Sequence, residues 1–200
     1  MLRKSVKKSD IRQEKPGATP LDEAALLDRV ANGDVAAFEI LYRCYFPRLQ
    51  RFLQRITRRP QLVEEILNDT MLVIWRKAAT YNLQSKVSTW IFAIAYRRAL
   101  KALSRIDDVI NEDPAIPISE FKHGPEGELM RQELRLLLMH TMSGLSAEHR
   151  AVIELTYYQG YAYGEIAEIM SCPIETVKTR MFYARRKLKT LLGNNMGDLI

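Results

Sequence analysis

Between residues 106 and 128 the chain reads IDDVINEDPAIPISEFKHGPEGE, and no helical period survives there. Proline removes a backbone donor and glycine raises the entropic cost of order, so three prolines and two glycines in one stretch interrupt any helix. On both sides, apolar residues recur at spacings of three and four, the signature of amphipathic helices. No segment reads as a strand and no internal repeat is found. These features predict an all-α protein of two small helical domains joined by a flexible acidic linker.

The first domain is expected over residues 19–105. Thr19 and Pro20 suit a helix start, with Asp22 and Glu23 at its positive end. Asp34 then caps a second helix whose apolar positions are Phe38, Leu41, Tyr42, Tyr45, Leu49, Phe52 and Ile56. The pattern resumes in phase after Pro47, so that proline is expected to kink the helix without ending it. Cys44 lies within this pattern and is expected in the core as a small apolar residue. Pro60 opens a third helix with Leu62, Val63, Ile66, Leu67, Thr70, Val73 and Ile74 on one face. Glu64, Glu65, Asn68 and Asp69 form another face. A fourth helix carries Trp90, Ile91, Ile94, Ala95 and Leu100 as its apolar stripe. By phase, Trp75 and Trp90 fall nearer the core than the surface.

The second domain is expected over residues 128–193, with four helical patterns and a tail at 194–200. Its last two helices, YGEIAEIM and PIETVKTRMFYARRKLKTLL, are separated by a three-residue break. That arrangement is a helix-turn-helix. Ala167 is small where two helices must cross, and Ile174, Val177, Met181, Ala184 and Leu188 share the inner face of the last helix. Ser171 takes a turn position that favours a left-handed backbone, at a cost of about 1 kcal/mol relative to glycine. The outer face is rich in Thr, Lys and Arg, which suits entry into a major groove with later arginines on phosphate.

Charge alternates along the chain. Residues 43–59 hold Arg43, Arg48, Arg51, Arg55, Arg58 and Arg59 without a carboxylate, residues 106–128 are acidic, and residues 171–190 are basic again. Residues 1–18 form a basic arm with few apolar positions and are expected to be mobile. A net charge of +6 favours anionic partners. Catalysis finds no support: His123, His140 and His149 show no metal-ligand spacing, and there is no phosphate loop or nucleophile motif. No cofactor is expected. The two unpaired-motif cysteines, the start without an apolar core and the lack of a long uncharged apolar run fit a cytoplasmic protein.

The segment from Gly144 to Leu192 resembles region 4 of bacterial RNA polymerase sigma factors. It has the Leu145-Ser146 start, the Arg150 position, the EIAE helix and the TVKTR…ARRKL recognition helix. ANGDVAAFEILYRCYFPRL, VEEILNDTMLVIWR and STWIFAIAYRRALKAL are similar, in order and spacing, to region 2. The short connection between them points to the extracytoplasmic-function (ECF) group. The resemblance implies binding to core RNA polymerase and promoter-specific initiation. Core binding would fall on Glu64, Glu65, Asn68 and Asp69. Minus-ten capture and melting would fall on Lys86, Ser88, Thr89, Arg97, Arg98 and Lys101. The minus-thirty-five element would be read by Thr176, Lys178, Thr179, Arg180, Tyr183, Arg185 and Arg186. Arg97 departs from the family, which often has asparagine there, and could alter the minus-ten preference. Glu175 suits the helix dipole better than a cytosine contact. The acidic linker would thread basic channels of the polymerase, imitating nucleic acid, and an anti-sigma factor is the usual partner. Competing readings are a self-sufficient repressor, which leaves the first half unexplained, and an adaptor that binds polymerase without reading promoters.

Overall fold

The computed structural model describes residues 22–107, 142 and 144–197, so the basic arm, most of the linker, the helix expected near 128–142 and the last three residues lie outside it. Every regular element among the described residues is helical. The first half comprises α1 (Glu23–Ala31), α2 (Val35–Thr57), α3 (Pro60–Lys77), a 3-10 turn (Ala78–Thr80) and α4 (Val87–Asp107). The second half comprises α5 (Ala147–Tyr157), α6 (Tyr163–Met170) and α7 (Ile174–Gly197).

The helix starts follow local chemistry. α1 begins later than expected, at Glu23, because the Asp22 carboxylate accepts the Ala25 N–H at 3.0 Å and sets the cap there. Asp34 caps α2 in the same way through Ala37 N–H, at 3.0 Å. The Ala37 backbone donor, and after it the Arg29 guanidinium, hold the Asp34 carboxyl below the usual carboxylate range. Pro60 occupies the first turn of α3, where a missing N–H costs nothing. α2 runs unbroken through Pro47, as the phase of its apolar positions predicted. α4 continues two residues past the expected boundary at 105, to Asp107.

The core of the first half is built from Leu27, Leu41, Leu49, Phe52, Leu53, Ile56, Leu67, Ile74, Ile91 and Ala95. Phe52 and Phe92 meet edge to face, with centroids 5.2 Å apart. Cys44 corrects its expectation: it is exposed, because the buried row of α2 runs through Leu41 and Tyr45 and turns position 44 outward. In the second half Leu145, Ala151, Val152, Leu155, Ile166, Ile169, Val177, Met181 and Ala184 are buried. Ile174, expected on that inner face, is instead 41% exposed at the first residue of α7, before the helix has reached its neighbours.

The two halves also pack directly on each other, α2 against α5 and α4 against α6, and their buried residues form one continuous cluster. No helix of the described residues is long and apolar enough to cross a membrane, and none of their His, Cys, Asp and Glu side chains cluster as metal ligands.

Candidate nucleic-acid and polymerase surfaces

The break between α6 and α7 has a defined stereochemistry. Ser171 is left-handed, with φ 52° and ψ 47°. Its N–H donates to the Glu168 carbonyl at 3.2 Å, and the Cys172 N–H donates to the Ala167 carbonyl at 3.0 Å. Paired reverse bonds of this kind form a Schellman motif, which terminates a helix while satisfying its last carbonyls. Ala167 and Cys172, both partly buried, supply the accompanying contact. Pro173 then leads into α7, and its carbonyl accepts the Thr176 and Val177 N–H groups. Val177 is fully buried and fixes the crossing of the two helices.

On α7, Lys178, Thr179, Tyr183, Arg185 and Arg186 are exposed, and Thr176 and Arg180 are half-buried. The first turn is internally neutralised, since Lys178 Nζ lies 2.7 Å from Glu175 Oε1. Arg185 donates to the Tyr157 hydroxyl from Nε at 3.0 Å and from Nη2 at 2.6 Å, which orients its guanidinium from α5. Arg180 points back toward the turn, its Nη1 3.7 Å from Cys172 Sγ and its charge against the Tyr96 hydroxyl of α4. Burial pushes the Tyr96 phenol up to about 12, against the opposing pull of Arg180.

In the first half, Val73, Lys77, Thr80, Trp90, Ile94, Arg97, Arg98 and Lys101 line a cleft of about 380 Å³ between α3 and α4. Four cations around an apolar floor can hold a flat, anionic ligand. Trp90 is half-buried, with its ring 5.8 Å from Tyr81, and Trp75 is half-buried against Phe38 at 5.2 Å. Each therefore sits at the core's margin, near the expected place. Of the residues assigned to minus-ten capture, the structure brings Arg97, Arg98 and Lys101 together at this cleft. Lys86 and Ser88 lie at the other end of the same helix. Thr89 corrects its expectation as a surface group: it is only 2% exposed and its hydroxyl has no hydrogen-bond partner. Glu64, Glu65, Asn68 and Asp69 are all exposed on α3. Asp69 Oδ2 lies 3.5 Å from Arg98 Nη1, linking the acidic face to the cationic cleft.

A family model described as Sigma-70 region 2 matches residues 41–108, and one described as Sigma-70, region 4, matches residues 141–190. The chain is 31% identical over 186 residues to the ECF RNA polymerase sigma factor SigK of Mycobacterium sp. (strain KMS), covering 88% of this chain and 92% of that protein. It belongs to the ECF RNA polymerase sigma factors. It is also 27% identical over 183 residues to the ECF sigma-E factor of Haemophilus influenzae, covering 86% of this chain and 96% of the relative. Among solved structures, CnrH in complex with the cytosolic domain of CnrY shares the fold, with a TM-score of 0.64 at 22% identity over 86% of this chain and 97% of that one.

As a sigma factor the protein binds core RNA polymerase and directs promoter-specific initiation, and it is not an enzyme. Sequence reading missed the residues that join region 2 to region 4 in this sigma factor. Arg150, 7% exposed on α5, donates to the Ile56 carbonyl of α2 from Nε at 3.1 Å and Nη2 at 2.7 Å, and to the Leu145 carbonyl. Glu154, 1% exposed, meets Arg55 Nη1 at 2.6 Å. Burial raises the Glu154 carboxyl above its ordinary range, and Arg55 opposes that shift. A charged glutamate on the buried side of a helix was the available signal, because such a group needs a partner.

Proposed function

We propose that α7 reads the minus-thirty-five element in the major groove, and that the cleft between α3 and α4 receives the minus-ten strand. Lys178, Thr179, Arg180 and Thr176 would sit at base edges or adjacent phosphates, with Tyr183, Arg185 and Arg186 on the backbone. Lys77, Arg97, Arg98 and Lys101 would hold single-stranded phosphates while Trp90 and Ile94 offer the apolar surface a displaced base needs. Glu64, Glu65, Asn68 and Asp69 would dock on the largest subunit of the polymerase. The protein would act in the cytoplasm under an anti-sigma factor. The sigma factor RpoE of Bartonella quintana, 24% identical with a TM-score of 0.63, was crystallised with the anti-sigma factor NepR.

The observation that carries this reading is the Schellman turn at Ser171, which ends α6 and presents a cation-rich α7 with its outer face free of the core. Run-off transcription on a genomic DNA library, with purified protein and bacterial core polymerase, tests it. Discrete start sites sharing two spaced upstream elements are expected. Silence in that assay, with DNA binding in the absence of core, would replace the sigma reading by a repressor. Alanine at Lys178 and Arg180 separates an adaptor, which would keep its activity, from a promoter reader.

A further inference from the structure

We infer that the exposed rings where α2, α5 and α7 meet form a stacking platform for single-stranded nucleic acid. This surface is separate from the cleft between α3 and α4. Of the residues assigned above to promoter contacts, it draws its cation Arg185 from α7.

α5 ends on two consecutive tyrosines, Tyr157 and Tyr158, which are 59% and 60% exposed. Successive helical residues point about 100° apart, so the two rings reach different neighbours. Tyr157 turns to α7, where its hydroxyl oxygen accepts both bonds from the Arg185 guanidinium. Tyr158 turns to α2, where the Arg55 guanidinium lies 3.6 Å from its ring centroid. Phe182, one turn before Arg185 on α7, is exposed, with its ring 5.5 Å from that of Tyr183. Arg51 lies one turn before Arg55 on α2 and is also exposed. Rings and guanidiniums therefore interleave across three helices.

Folding does not ask for this arrangement. Single exposed apolar residues are ordinary, whereas several large rings gathered on one surface mark a binding site. The cations are also fixed before any ligand arrives, Arg55 by Glu154 at 2.6 Å and Arg185 by Tyr157. Groups held in this way lose little freedom on binding.

Charge selects the class of ligand. The three stretches that supply the surface, residues 40–63, 155–164 and 176–197, contain no Asp or Glu. Glu154, which offsets Arg55, is buried beneath the rings. An outer face of aromatic rings and arginines fits bases stacked on the rings, with their phosphates on the cations. A duplex keeps its base faces inside its own stack, so the platform favours single strands. Stacking reads no base edge, so binding is expected to tolerate changes of sequence.

The test is fluorescence anisotropy with the full-length chain and three labelled strands of about 12 nucleotides: oligo-dT, oligo-U and an abasic strand that keeps the phosphates without the bases. The two strands with bases should bind about tenfold or more tighter than the abasic one, the worth of one or more stacked bases. Whichever of them binds tighter identifies DNA or RNA as the favoured source. Tyr158→Ala should weaken binding by about 5- to 150-fold, whereas Tyr158→Phe, which keeps the ring on Arg55, should bind as the native chain does. Arg51→Gln should reduce the salt slope by about 0.7, the share of one phosphate contact on a single strand. Photo-crosslinking of the native chain to 5-iodouracil oligonucleotide, which needs no mutation, should place adducts on Tyr157, Tyr158 or Phe182. Equal binding of the abasic strand overturns the inference, as does undiminished binding by Tyr158→Ala. Adducts confined to Tyr81 or Trp90 also overturn it, because the strand would then lie at the cleft between α3 and α4. None of the probes carries a promoter sequence, so the outcome is independent of the promoter reading proposed above.

Discussion

Replacing Ser171 by glycine should stabilise the protein, and the size of the gain follows from one dihedral angle. A non-glycine residue in the left-handed region costs roughly 1–2 kcal/mol, from the approach of Cβ to the following carbonyl. Glycine escapes that cost but loses about 0.5–1 kcal/mol more backbone entropy on folding. The difference leaves a net gain of about 0.5–1 kcal/mol for Ser171→Gly. The serine hydroxyl gives nothing back, since Ser171 is exposed and the turn's two bonds are made by backbone N–H groups. For a protein of this size the gain corresponds to a rise in melting temperature of about 1–4 °C, measurable by scanning calorimetry. Gly33 provides the converse case. Its φ is +84° and a Cβ there would meet nothing within 4 Å, so Gly33→Ala tests conformation without steric clash. It should lower stability by about 1 kcal/mol. If Ser171→Gly lowers the melting temperature while Gly33→Ala leaves it unchanged, left-handed strain is not what sets these turns. Promoter affinity should be unaffected by Ser171→Gly, because the position of α7 is held by Val177 and the Ala167 contact.

Alanine at Lys178 or Arg180 should weaken minus-thirty-five-dependent transcription by about 5- to 150-fold each, the range of a lost base contact, while core binding measured by gel filtration stays intact. Reversal of Glu64 and Asp69 to lysine should do the opposite, reducing core binding and leaving duplex DNA binding in place. Arg97→Asn should change which minus-ten sequences initiate, read from mapped start sites. The Glu165 carboxyl, paired first with Lys86 and then with the Ala162 N–H, titrates below the ordinary glutamate range. Its contribution to the contact between halves is therefore present at neutral pH and disappears as pH falls through that depressed value. Carbon-13 carboxyl titration should find it moved upward in Lys86→Ala, but not fully to the ordinary value, because the Ala162 donor remains.

Local features of the fold were legible in the sequence. The caps at Asp34 and Ser146, the proline start of α3, the continuity of α2 through Pro47 and the left-handed Ser171 each depend on a few adjacent residues. Periodicity also separated inner from outer faces along most of α7. Side-chain placement failed where a neighbour distant in sequence decides. Cys44 sits between two rows of α2 and is turned out by the packing of Leu41 and Tyr45. Thr89 reads as a surface hydroxyl but is buried. Arg55 reads as one more cation of an arginine-rich helix, and only the fold brings it to Glu154, 99 residues away. Nothing local encodes that meeting.

The proline inside α2 has a mechanical consequence. Position 47 has no N–H to give the preceding turn, so the helix is softest there and stiff on either side. Arg55 and the Ile56 carbonyl, which α2 offers to α5, both lie on the far arm of that crease. At 1.5 Å per residue the arm to Arg55 is roughly 12 Å long, so a flex of about 10° swings its tip by about 2 Å. That is the margin between a 2.6 Å contact and none. A modest flex at the proline is thereby geared up into the making or breaking of a bond half a helix away.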